Sequence, residues 1–116
     1  MPLPSFDIEH APGIKLPNDK FIIESVKTRI TTYHSGKANA VKSPCIEKAL
    51  GISGAKLRAI VNYLNDHSVW VASCGNGYFL AVTDEEKSDY LKQLDARVAG
   101  IDRRRNGLRR TMKAGA

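Results

Sequence analysis

Residues 43–82 run SPCIEKALGISGAKLRAIVNYLNDHSVWVASCGNGYFLAV, and the order of patterns within them indicates the fold. A helix is predicted from Ser43, which is placed to cap it, and Pro44 suits its first position. Gly51 then supplies the backbone freedom for a sharp turn. Ser53 is placed to cap a second helix. The first part of this stretch therefore predicts helix, turn and helix.

A β-hairpin is predicted after the second helix. Residues 69–72 and 78–82 are rich in β-branched and aromatic side chains, which favour strands, and residues 74–77 (CGNG) tolerate positive φ. Strict alternation groups the side chains into two faces: Val69, Val71, Phe79 and Ala81 on one, and Trp70, Tyr78 and Leu80 on the other. Since both faces are apolar, we expect the outer one to be covered, with the C-terminal helix as the cover.

The region before this stretch is predicted to add a helix and a third strand. Residues 1–17 contain four prolines and are expected to form an extended arm, because proline interrupts a helix. A helix is predicted from there to about His34, and residues 40–42 are expected to pair with the hairpin. The apolar stripe of the helix predicts its buried face: Phe21, Ile22, Val26, Ile30 and Tyr33, with Ile23 off the stripe.

A long helix is predicted at the C-terminal end. Thr83 and Glu86 have the spacing of a capping box. Apolar residues then recur every three or four positions, with Arg105 in the one missing place: Leu91, Leu94, Val98, Ile101, Leu108 and Met112. This stripe either folds back on the sheet and first helix of its own chain or pairs with a second copy. Gly100 and Gly107 each cost up to about 1 kcal/mol relative to Ala, which weakens an autonomous coiled coil.

Basic charge is concentrated in the same helix. Residues 1–96 hold eleven Lys or Arg and eleven Asp or Glu, whereas residues 97–116 hold seven cations and Asp102, which accounts for the formal net charge of +6. A solvated helix end is one interpretation, because the macrodipole favours cations there. The density of arginine favours a negatively charged partner, with nucleic acid the commonest. The expected phosphate contacts are Arg103, Arg104, Arg105, Arg109 and Arg110.

The second helix offers a face suited to a DNA groove. Its predicted inward residues are Leu57, Ile60, Val61 and Leu64. Its outward residues are Lys56, Arg58, Ala59, Asn62 and Asn65. Small Ala59 allows a close backbone approach, Arg58 and Lys56 can reach phosphate or guanine, and Asn62 can bind adenine. An ordinary solvated helix face would also be polar, so both interpretations stay open.

Composition weighs against several other classes of protein. An apolar fraction of 42% allows one modest core in 116 residues. No apolar run approaches the ~20 residues that span a bilayer, and the N-terminus lacks the pattern of a secretory signal, so a cytoplasmic protein is expected. No phosphate loop, catalytic triad or metal-ligand spacing is present, so no enzyme activity, metal or cofactor is expected. Cys45 is expected to be a small buried residue. His67 is expected either to be solvated or to make a helix-end hydrogen bond.

Residues 50–54 (LGISG), 77–81 (GYFLA) and 83–86 (TDEE), with the helices that adjoin them, resemble the small winged-helix proteins common in bacteriophages and prophages. The resemblance implies an α+β winged helix-turn-helix with an N-terminal helix and a long C-terminal helix. It implies sequence-selective binding of duplex DNA, in transcription regulation or in the initiation of replication or packaging. The recognition-helix positions would be Lys56, Arg58, Ala59 and Asn62. The hairpin turn departs from the family because it has no Lys or Arg, which weighs against contact with phosphates.

Three segments are therefore predicted: an extended arm (residues 1–17), a winged-helix domain including the start of the last helix (18–96) and a basic helix end or tail (97–116). The partner expected first is duplex DNA. A homodimer is a possible assembly through Leu91, Leu94, Val98, Ile101 and Leu108. The alternative function is a protein-interaction adaptor, in which the winged helix is a scaffold and the C-terminal helix docks on a host or phage protein.

Overall fold

The structure, a computed structural model, describes residues 19–115. The predicted arm at residues 1–17 lies outside the described residues. The described residues fold as an α+β protein in which two short antiparallel strands accompany four α-helices. In chain order these elements are α1 (Lys20–Tyr33), a 3₁₀ turn (Lys37–Asn39), α2 (Ser43–Leu50), α3 (Gly54–Asp66), β1 (Val71–Cys74), β2 (Gly77–Leu80) and α4 (Asp84–Gly115).

The turn between α2 and α3 forms as the sequence predicts. Gly51 ends α2 in the left-handed region, at φ +66°, and the N–H of Ile52 donates to the carbonyl of Glu47 at 3.1 Å. Ser53 caps α3, since its hydroxyl accepts from the N–H of Lys56 at 3.1 Å. The predicted cap at Ser43 is wrong: α2 begins at Ser43 itself, whose hydroxyl donates instead to the Glu47 carboxylate at 2.5 Å.

The main core lies between α1, α2, α3 and one face of the hairpin. All four predicted inward residues of α3 are buried. They pack with side chains from the other elements: Ile23, Val26, Ile30, Ile46 and Val71.

The predicted buried face of α1 is wrong at three positions. Phe21 and Tyr33 are 77% and 68% exposed, whereas Ile23 is only 4% exposed. At 3.6 residues per turn, Phe21 and Ile23 lie about 160° apart around the helix axis, so only one of them can face the core. The buried stripe runs through Ile23, Val26 and Ile30 because α1 is rotated to place these β-branched side chains against α3.

The grouping of side chains on the hairpin is also corrected. The two-residue turn pairs Val71 with Leu80 and Ala72 with Phe79, so odd-numbered residues of β1 share a face with even-numbered residues of β2. Turn length sets the register, and a shift of one residue exchanges the faces. Val71 and Leu80 thus face the main core. Phe79 and Ala72 face α4, where Tyr90 covers them, so the expected cover is confirmed.

The predicted third strand is a single bridge. The N–H of Val41 donates to the carbonyl of Tyr78 at 2.9 Å, and the Val41 carbonyl accepts from Tyr78 at 2.8 Å. Gly77 adopts φ +117°, and a Cβ at this position would overlap the carbonyl oxygen of Val41. The close approach of residues 41 and 77 therefore requires glycine.

The capping box at the start of α4 forms, and it does more than cap the helix. Thr83 accepts from the N–H of Glu86 at 3.1 Å. The Glu86 carboxylate accepts in return from the N–H groups of Thr83 (3.5 Å), Val82 (2.9 Å) and Lys37 (3.0 Å). One side chain thus joins the start of α4 to the 3₁₀ turn.

The stripe on α4 does not fold back as a whole on its own chain. Tyr90 and Leu94 pack on the hairpin, but Val98, Ile101 and Leu108 are 58%, 49% and 69% exposed. The fold-back alternative therefore holds at Leu94 but not for the exposed residues that follow it. The helix continues through both internal glycines.

Candidate nucleic-acid interface

The exposed face of α3 presents two of the four predicted groove-facing residues. Arg58 and Asn62 are exposed and lie four residues apart, so their side chains are neighbours on one face. Ala59 is half-buried because it packs against the main core. Because its side chain is small, Ala59 still allows another molecule to approach this part of the helix closely. The face therefore offers one cation and one amide at adjacent positions.

Lys56 is already engaged within the chain. Its ammonium lies 2.8 Å from the Asp19 carboxylate, and the two side chains are 30% and 14% exposed. This pair joins the first turn of α3 to the residue that precedes α1. Any contact of Lys56 with a phosphate must therefore share or break the bond to Asp19.

A second arginine acts electrostatically on the same tyrosine as Arg58. Burial raises the pKa of the Tyr78 phenol, and the charges of Arg58 and Arg97 lower it in part. Tyr90 and Glu47 act in the raising direction. Arg58 belongs to α3 and Arg97 to α4, so the charges of two helices both act on one tyrosine of β2.

A lysine from outside the hairpin lies against the hairpin turn. The ammonium of Lys42 donates to the carbonyl oxygen of Gly75 at 3.1 Å. Lys42 follows the bridged residue Val41 directly, which explains its position beside the turn. Sequence reasoning did not single out Lys42, although the expected pairing of residues 40–42 with the hairpin was the available signal.

The arginines of α4 lie apart from the α3 face. Arg103, Arg104, Arg105, Arg109 and Arg110 are all exposed. Arg105 lies 3.6 Å from Asp102, a surface pair that contributes little to stability. Arg103 and Arg110 are about 14 and 24 Å along the helix from Leu94, where α4 packs on the hairpin. Within one chain, the structure does not bring the basic end and the α3 face together.

The side of α3 that faces away from Arg58 borders a groove of about 430 Å³. Its lining comes from α1, the end of α3 and Val69: Lys20, Ile23, Glu24, Lys27, Tyr63, Leu64, His67 and Val69. His67 stacks on Tyr63 with ring centroids 4.2 Å apart, and its Nδ1 bonds to the Tyr63 carbonyl at 2.8 Å. Of the two alternatives for His67, the structure shows the helix-end hydrogen bond, and the residue is also exposed.

The predicted burial of Cys45 is wrong, because this residue lies on the exposed face of α2. Across the described residues, no group of three potential metal ligands comes together. No helix in residues 19–115 combines the length and the apolar character needed to cross a membrane.

The chain matches no protein-family model, and comparisons with curated proteins and with solved structures find no significant match.

Proposed function

We propose that this protein is a winged helix-turn-helix that binds duplex DNA sequence-selectively, with α3 in the major groove. The observation that supports this most strongly is the order of α2, a three-residue turn, α3 and a hairpin bridged by Val41. This arrangement leaves one face of α3 uncovered beside the hairpin. An α-helix fits the width of the major groove of B-DNA.

The uncovered face has suitable chemistry for base contacts. A guanidinium such as that of Arg58 can bind the O6 and N7 atoms of guanine, and an amide such as that of Asn62 can bind adenine. We assign phosphate contacts beside the groove to Lys42, which lies against the hairpin turn, and to Arg97 on α4. Lys42 thus compensates for a turn without its own Lys or Arg.

The test is duplex affinity by fluorescence anisotropy, with preferred sequences selected first from a random pool. Arg58→Ala and Asn62→Ala should each weaken binding to the selected duplex by about 1–3 kcal/mol and relax preference at one base pair. Lys27→Ala is the matched control, since it removes a cation from the groove on the other side of α3. Affinity and preference unchanged in the two α3 variants would contradict the role given to this face.

The second candidate is a protein-interaction adaptor, in which the globular part is a scaffold and α4 binds a host or phage protein. The exposed apolar stripe of α4 favours this function, since large exposed apolar surfaces mark interaction sites. An adaptor should have little affinity for DNA at physiological salt, ~0.15 M, where exposed charges are screened over about 8 Å. The same anisotropy titration therefore separates the two functions.

A further inference from the structure

One face of α4 presents most of the exposed large apolar side chains in the described part of the chain. Five of these eight side chains are Leu91, Val98, Ile101, Leu108 and Met112, and their exposed fractions run from 49% to 74%. With Leu94 and Arg105 they alternate at intervals of three and four residues. This spacing forms the a and d seam of a coiled coil, in which each side chain packs between four residues of a like-spaced helix. Gly100 and Gly107 both lie off this seam.

We propose that this face pairs with the same face of a second copy, with the two α4 helices antiparallel and Arg103 at the centre of the overlap. An antiparallel pair places an a residue of one helix opposite a d residue of the other. In the register centred on Arg103 the facing residues are Leu94 and Met112 of the partner subunit, Val98 and Leu108 of the partner subunit, and Ile101 and Arg105 of the partner subunit.

The charges beside the seam favour this register. Asp95 faces Arg109 of the partner subunit at each end of the overlap. Near the centre, Arg105 comes beside Asp102 of the partner subunit, and Asp102 already lies 3.6 Å from Arg105 in its own chain. These four charges form one alternating cluster. Two like-charge contacts remain in this register: Arg104 faces its own copy, and Asp102 faces Asp102 of the partner subunit. The two Arg105 side chains lie beside the aspartates and offset the second contact.

A parallel pair would be less favourable. Its seam would place Arg105 directly against Arg105 of the partner subunit, and Arg104 would face Arg109 of the partner subunit along both edges. Its one attractive pair is Arg97 with Asp102 of the partner subunit. Since like charges at facing positions oppose pairing, the charge pattern selects the antiparallel orientation.

The antiparallel pair also changes where the arginines lie. Arg110 of one chain comes opposite residue 96 of the other, next to the point where the other α4 packs on its hairpin. The two Tyr90 residues lie about 39 Å apart along the pair, at 1.5 Å per residue. This length is comparable with one turn of B-DNA, about 34 Å. The relation to DNA rests on the proposed function, whereas the pairing itself does not.

The first experiment measures molar mass by light scattering and sedimentation equilibrium, without DNA. The full chain should have twice the 12.8 kDa mass of one copy. Val98→Asp should raise the dissociation constant about a hundredfold, because it places a charge inside the seam opposite Leu108 of the partner subunit. Ala99→Asp is the matched control: it adds the same charge at the next residue, on the outer face, and should leave the constant within about threefold. Trp70 fluorescence checks that the globular part stays folded in both variants.

A second experiment tests orientation and register. Asp95→Arg and Arg109→Asp should each weaken the dimer about tenfold, and the double variant should recover the original affinity. The two positions are about 21 Å apart within one helix, so recovery can arise only between chains. A monomer at all concentrations, or equal effects of Val98→Asp and Ala99→Asp, would overturn the pairing. A dimer without recovery would overturn the antiparallel register. None of these three outcomes depends on whether the protein binds DNA.

Discussion

Gly77 fixes the approach of residues 40–42 to the hairpin. Its φ of +117° and its contact with the Val41 carbonyl leave no room for a Cβ. Gly77→Ala should therefore lower the free energy of unfolding by about 2–4 kcal/mol, because it adds backbone strain and breaks the bridge to Tyr78. Urea unfolding followed by Trp70 fluorescence measures the change.

Gly75 provides the control for this prediction, two residues away in the same turn. A Cβ on Gly75 would meet no atom within 4 Å. Gly75→Ala should change the free energy of unfolding by less than about 0.5 kcal/mol. Equal losses in the two variants would show that the turn as a whole, and not the contact with Val41, limits stability.

Glu86 should make stability depend on pH. The N–H groups of Lys37 and Val82 donate to its carboxylate and lower its pKa below the ordinary 4.5. The ionised form is thus favoured by folding, so its contribution is complete above about pH 4.5 and is lost as pH falls through the lowered pKa. Glu86→Gln should lower the thermal midpoint at pH 7, and the difference from the original chain should shrink in acid.

The control for this pH dependence is Glu85→Gln, at an exposed neighbour in the same turn of α4. It should shift the midpoint little at any pH between 3 and 7. A difference between Glu86→Gln and the original chain that persists unchanged at pH 3 would contradict the proposed role of the carboxylate.

At the scale of elements, one amide connects α3, β1 and α4. With its oxygen toward the Tyr90 hydroxyl at 2.9 Å, the Asn65 side chain donates to the carbonyls of Val69 (2.9 Å) and Val71 (3.1 Å). Asn65 was predicted among the outward residues of α3, but it is half-buried at this junction.

Tyr90→Phe should lower the free energy of unfolding by about 1 kcal/mol, because the Asn65 oxygen loses its donor while the ring stays packed. The hydroxyl of Tyr33 provides the control, since this side chain is 68% exposed. Tyr33→Phe should have almost no effect. Equal effects in thermal unfolding would show that the bond to Asn65 contributes nothing to docking of α4.

The elements differ in how much of them the sequence could predict. The limits and buried face of α3 follow from Gly51, Ser53 and a clear apolar stripe. The buried face of α1 could not be predicted in the same way. Phe21, Ile22 and Ile23 are consecutive, so more than one apolar stripe can be drawn through them. The hairpin faces depend on a turn length that residues 74–77 leave open, and one residue of error exchanges the faces.

At the scale of the whole molecule, the sequence likewise predicts only part of the candidate site. Arg58 and Asn62 could be identified because their exposure follows from the periodicity of one helix. The ion pair of Lys56 with Asp19 and the contact of Lys42 with Gly75 join residues 37 and 33 positions apart. Contacts between such distant positions depend on how the elements pack, and local patterns do not encode them.

The charge distribution of the molecule should determine how binding responds to salt. The globular part has no net charge up to residue 96, and the excess arginines lie on exposed α4. If they contact phosphates, each lost contact should reduce the slope of log affinity against log salt by about 0.9. Replacing Arg103, Arg104, Arg109 and Arg110 by Gln should therefore flatten the slope strongly while sequence preference, which we assign to α3, is retained.

The most direct test of duplex DNA binding is the affinity of the full chain for duplex DNA across a series of salt concentrations, compared with this four-arginine variant. We expect measurable binding at ~0.15 M salt and a steep slope that the variant loses in large part. Absence of binding by the full chain at that salt concentration would contradict duplex recognition and would favour α4 as a docking surface for protein.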